Sequence, residues 1–116
     1  MLSTEQTSIW QQLLTLLSNL PTDSIPALKV SLRQAIELFE GQILTQNIED
    51  SQNPHAGKMR SYLTESHRLL RLLPLDLMFI EVSRQPNTTQ ERRQAYQNKL
   101  DLLIRYVEAM MSISLG

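Results

Sequence analysis

The amino-acid sequence predicts an all-α protein, an antiparallel four-helix bundle formed by residues 1-116 as a single helical domain. Large apolar residues recur at three- and four-residue steps through four segments, the spacing that gathers them on one face of a helix. The three Gly and five Pro sit mostly at or near the ends of those segments. No stretch alternates apolar and polar residues with the period of two that a half-buried strand needs. The expected helices run over about 4-20, 25-48, 55-85 and 89-114.

The first helix opens at Ser3 or Thr4, where Ser3 and Gln6 have the spacing of a capping box. Ile9, Leu13, Leu16, Leu17 and Leu20 form its apolar stripe, and Pro21 stops it. Ser24 is the expected N-cap of the second helix, with Pro26 in the first turn, where a missing N–H costs little. Its stripe is Ile25, Leu28, Leu32, Ala35, Ile36, Phe39 and Ile43. Gly41 falls inside the pattern and reads as a tolerated glycine at a close helix contact. The polar run from Glu49 to Pro54 is the central loop.

The third helix is the longest. Either Asn53 caps it with Pro54 at the first helical position, or Gly57 moves the start nearer Lys58. Met59, Leu63, Leu70, Leu73, Leu77 and Ile80 alternate at three and four residues, as in a coiled-coil seam. Pro74 removes one backbone bond and crowds the Leu70 carbonyl, so a kink is expected near it. Pro86 pushes Gln85 out of helical angles and ends the segment. The fourth helix opens on a second capping box, Thr88-Thr89-Gln90-Glu91, and carries Tyr96, Leu100, Leu103, Tyr106, Val107, Met110 and Met111 on one side. At about 1.5 Å per residue the first helix spans roughly 25 Å and the third roughly 45 Å. One corner of the bundle is therefore short of cover, and a homodimer mate or a partner is expected to protect it.

Composition excludes most chemistry. With no Cys there is no disulfide, thiolate metal site or Cys nucleophile. His55 and His67 are the only histidines, and no Glu-x-x-His pair suits a di-iron bundle. No cofactor, no metal and no catalytic residues are expected. The net charge of −1 gives no pull toward nucleic acid or anionic lipid. It balances unlike halves: residues 1–52 carry two cations against six carboxylates, and residues 53–116 nine against six. The opening Met1-Leu2-Ser3-Thr4-Glu5 is unlike a signal peptide, and Leu69–Val82 is too short and too interrupted to span a bilayer. A cytoplasmic protein without membrane insertion is expected.

Three features remain. Ten of the fourteen residues from Leu69 to Val82 are large and apolar, wider than the single stripe of a surface helix. The stretch is either a central helix covered on several sides or an exposed groove or dimer face. Asp76 points to the apolar side between Leu72 and Phe79, where a carboxylate needs a cation; Arg93 and Arg105 are the candidate partners for a buried ion pair. Arg60, His67 and Arg71 fall near one face of the third helix with Arg68 adjacent. These four are either a solvated face or a partner-binding stripe for an acidic peptide or protein surface.

The run His67-Arg68-Leu69-Leu70-Arg71-Leu72-Leu73, then Asp76-Leu77-Met78-Phe79 and Ser83-Arg84-Gln85-Pro86, resembles the cyanobacterial heterocyst frequency control family, PatD. The spacing of Arg92 or Arg93, Tyr96, Leu100, Leu103 and Tyr106 is similar to that family's final helix, so the resemblance covers about residues 59–110. It implies a small cytoplasmic, non-catalytic regulator linked to cell division through the tubulin-like protein FtsZ. The resemblance assigns no individual site residue. Two other classes stand beside it: a small helical-bundle enzyme of the chorismate-mutase-like type built around Asp76, and a dimeric helical transcription cofactor.

Overall fold

The computed structural model describes residues 4–45 and 54–115. They form α1 (Thr4–Ser18), α2 (Ile25–Leu38), α3 (Ala56–Val82) and α4 (Pro86–Leu115), with a π-helical turn, Phe39–Ile43, continuing α2. No strand occurs among the described residues. The capping box at Ser3 and the loop at 49–53, with the expected helix end at Ile48 and the Asn53 cap, lie outside them.

Local chemistry sets most of the boundaries. α1 stops two residues short of the expected Leu20, where the Asn19 backbone N–H (3.2 Å) and side-chain amide (2.8 Å) both donate to the Thr15 carbonyl. These bonds satisfy an acceptor that the helix end leaves open. Ser24 caps α2 from an extended backbone, its Oγ accepting from the Ala27 N–H at 3.3 Å. α3 opens at Ala56, with His55 at the cap position.

Three expectations are corrected. The α-helical part of α2 ends at Leu38, after which the Leu44 N–H reaches back five residues to the Phe39 carbonyl at 2.9 Å. Gly41 lies in this wide turn, is exposed, and a Cβ placed on it would meet nothing within 4 Å. It is not a close helix contact. α3 ends at Val82 and α4 begins at Pro86, so the Thr88 box does not cap α4. Proline's fixed φ and missing N–H suit the first helical position, and Thr89 serves the first turn from inside, with its N–H and hydroxyl 2.9 and 3.0 Å from the Gln85 carbonyl.

The helices run antiparallel around one core. On α1 and α2, Trp10 meets Phe39 edge to face with centroids 6.0 Å apart. Lys29 near the start of α2 pairs with Glu81 near the end of α3, whereas Glu40 beyond α2 meets His67 in the first half of α3. Tyr62 lies against Tyr106 across α3 and α4. The core holds Trp10, Leu13, Leu32, Phe39, Ile43, Met59, Leu70, Leu73, Leu103 and Val107, each at 0–1% exposure. Each such side chain contributes roughly 1.5–3 kcal/mol of burial. Pro74 sits inside α3, whose helical run continues past it to Val82.

Lengths then shape the surface. The protein measures 53 × 21 × 20 Å, and the 15 residues of α1 accompany only half of the 30-residue α4. The α3–α4 hairpin projects beyond its cover.

Candidate functional site

The expected basic stripe on α3 divides in three. The His67 ring stacks on Phe39, with centroids 5.5 Å apart and planes 6° from parallel, and its Nε2 lies 2.9 Å from a Glu40 carboxylate oxygen. Arg71, one turn on, stands 3.6 Å from the same oxygen. The His67 hydrogen bond first, and the Arg71 charge after it, hold the Glu40 carboxyl below its usual pKa of 4.5. Glu40 lies in the π-helical turn, whose Phe39 and Ile43 stay in the core while the Glu40 carboxylate meets α3. Arg68 turns to its own helix, bonding Glu65 at 2.8 and 3.0 Å. Arg60 lies exposed about two turns before His67. Two of the four residues are thus engaged by α2, and the stripe is not one continuous free face.

Asp76 is buried, at 7% exposure, and its partner is Lys99, whose Nζ lies 2.9 Å from Oδ2. Arg93 and Arg105, the expected partners, are both exposed. The hairpin register explains the substitution. Tyr62 faces Tyr106, and Arg92 lies over the Phe79 ring at 4.6 Å, so Asp76 comes level with the middle of the 90s on α4. Arg105 is then roughly 15 Å away along the axis. Arg93 is level but turns toward the end of α1, where it lines a cavity with Leu17 and Ser18. Lys99 reaches Asp76 by laying its aliphatic stem along the apolar seam. Tyr96 is one turn from Lys99, and burial, reinforced by the Asp76 charge, pushes its hydroxyl up to about 12. It stays protonated and able to donate at neutral pH.

The wide apolar stretch of α3 proves to be two stripes. Leu69, Leu70, Leu73, Leu77 and Ile80 are in the core, whereas Leu75, Met78, Phe79 and Val82 are 46–70% exposed. The exposed set has the i, i+3, i+4, i+7 spacing of a contact face, and among the described residues it stays 46–70% exposed. Phe79 alone is partly capped, by Arg92. The spacing was present in the sequence, interleaved with the core stripe. Periodicity could not say which of the two stripes would face outward.

Two concavities complete the surface. One, of about 650 Å³, opens between the α1–α2 connector and α4 and has Leu77, Ile80, Tyr96 and Leu100 in its walls, with Asp23 and Arg93 among its polar residues. Neither Asp76 nor Lys99 lines it. The other, of about 630 Å³, is a groove between α2 and α3 beside the exposed stripe. Among the described residues, no three His, Asp or Glu approach closely enough to hold a metal ion, and no helix is long and apolar enough to cross a membrane. Comparison of the chain with protein-family models, with curated proteins and with solved structures gives no match.

Proposed function

We propose that this protein is a non-catalytic, cytoplasmic regulatory module that binds the cell-division protein FtsZ, modulates its assembly and so influences heterocyst frequency. The observation that carries the reading is the exposed stripe Leu75, Met78 and Val82 on α3, 46–70% open among the described residues. Contiguous apolar surface of this kind marks a contact site, because leaving it in water forgoes burial energy that a partner recovers. The same helix carries most of the resemblance to the PatD family, which is what directs the reading to FtsZ. Titration of purified FtsZ with the purified protein tests it, with binding and light scattering during assembly followed together. Binding with a change in assembly is expected, and Met78→Glu should weaken binding about tenfold or more and reduce the change in assembly with it. An FtsZ that neither binds nor changes its assembly would overturn the reading.

The second reading is a homodimer closing over the same stripe, which its length and exposure also suit. Solution mass measured across concentrations separates the two, since a dimer dissociates on dilution and a monomer keeps its mass.

A further inference from the structure

We propose that the groove between α2 and α3 is a docking site for an acidic amphipathic helix of a partner protein. This rests on the reading of the open α3 face as an interaction surface, and it names the chemistry that surface selects.

The shape favours a helix over a compact ligand. Ile36 of α2 and Leu72, Leu75 and Met78 of α3 form the apolar lining. The apolar strip runs on out of the groove to Val82, 70% exposed. From Arg71 to Val82 the strip is about 16 Å long, three turns of an α-helix. A partner helix with apolar anchors at i, i+3 or i+4 and i+7 matches that length. The unbranched Met78 thioether lets the lining adapt to the anchors it receives.

The charge favours an acidic one. Lys29, Arg33 and Arg71 line the groove, and no carboxylate does. Lys29 is drawn to Glu81 and Arg71 to Glu40, whereas Arg33 makes no ion pair among the described residues. A cation without an intramolecular carboxylate beside an apolar lining favours an acidic partner, because a basic or neutral segment would leave it uncompensated as water is displaced. A second copy of this chain would meet the apolar strip but brings no groove-lining carboxylate to Arg33, which an acidic helix supplies. An anionic membrane fits poorly as well. Surface adsorption needs several free cations on a convex face, and this site offers a concavity in which only Arg33 lacks an intramolecular carboxylate.

Two synthetic amphipathic peptides test the proposal, one with Leu at three-four spacing and Glu between, the other with Lys in place of every Glu. Each is titrated into isotope-labelled protein and followed by amide resonances. The acidic peptide is expected to perturb residues 29–36 and 71–82, to bind about tenfold or more tightly than the basic one, and to weaken with salt. Arg33→Glu should cost about tenfold in that affinity and Met78→Glu should remove it. Both side chains are exposed, so both variants should keep the wild-type melting temperature.

Equal affinity for the two peptides, perturbations confined elsewhere, or indifference to Arg33→Glu would overturn the proposal. So would a concentration-dependent dimer protecting the same amides, or adsorption to anionic vesicles that Met78→Glu abolishes. Parallel titrations with FtsZ separate this inference from the reading beneath it. FtsZ binding that Met78→Glu weakens and Arg33→Glu does not overturns the acidic-helix groove and leaves the FtsZ reading standing. Peptide docking without FtsZ binding does the reverse.

Discussion

Ser66 sits at 0% exposure on the core side of α3, and its hydroxyl has no hydrogen-bond partner among the described residues. A desolvated, unbonded hydroxyl costs about 1–3 kcal/mol, and alanine is also the better helix former. Ser66→Ala should therefore raise stability by about 1 kcal/mol in denaturant titration; a loss of that size would mean the hydroxyl is bonded. Asp76 poses the opposite case. Its Lys99 partner keeps 29% side-chain exposure, so Asp76→Ala should cost about 2 kcal/mol, less than the 3–5 typical of a fully dry pair. The double variant Asp76→Ala/Lys99→Ala should lose less than the two single losses together, because the second removal takes away the stranded charge. Additive losses would mean the two side chains act independently. That Asp76 lies on an apolar side of α3 was legible from its place between Leu72 and Phe79, but its burial was not, since Phe79 itself is exposed. Its partner was not, because choosing among the cations of α4 needs the register of the hairpin, a property of two elements. Tyr96 makes a pH prediction with a definite sign. Its folded pKa of about 12 exceeds the ordinary 10.0, so between those values the folded state holds a proton that the unfolded state has released. Stability from this group is complete below pH 10 and is lost as pH rises toward 12, which thermal melts across that window would follow. Melts insensitive to Tyr96→Phe there would contradict it.

At the scale of elements, helices were legible wherever a stripe met a capping side chain. Ser24 with Pro26 gave α2 its start, and the three-four spacing on α3 and α4 gave both their core faces. The misplaced boundaries came from competition between two valid signals. Pro86 and the Thr88 box both specify a helix start, and the proline prevails because its fixed φ fits the first position while Thr89 still bonds back to Gln85. The π-helical turn was invisible because one inserted residue leaves Phe39 and Ile43 four apart, as in an uninterrupted α-helix. Only the five-residue reach of the Leu44 N–H reveals it. Glu40 within it contacts His67 and Arg71, which turns half of an apparent docking stripe into a tie to α3. Gly41 in this turn has negative φ and open space around its Cβ position. Gly41→Ala should stabilise the protein by about 0.4–1 kcal/mol, read as a higher denaturation midpoint with an unchanged slope. Destabilisation would show that the turn needs glycine.

Over the whole molecule, the helices are unequal in length and in the faces they cover. α1 and α2 are roughly half as long as α3 and α4, and even where α2 runs beside the second half of α3 one of the two apolar stripes stays open. The excess of apolar residues in Leu69–Val82 was plain in the sequence, as was the shortage of cover. Where the open stripe would fall was not, because that depends on which side of α3 each neighbour takes. The α2–α3 groove, with Arg33 on one wall and Leu75 and Met78 on the other, exists only once the two helices are side by side. The open stripe is the surface proposed to bind FtsZ. The most direct test is the affinity of purified FtsZ for the wild-type protein and for Met78→Glu, measured on samples with equal melting temperatures. Wild-type binding that falls about tenfold or more in the variant is the predicted result. Equal binding by both, or none by the wild type, would contradict it.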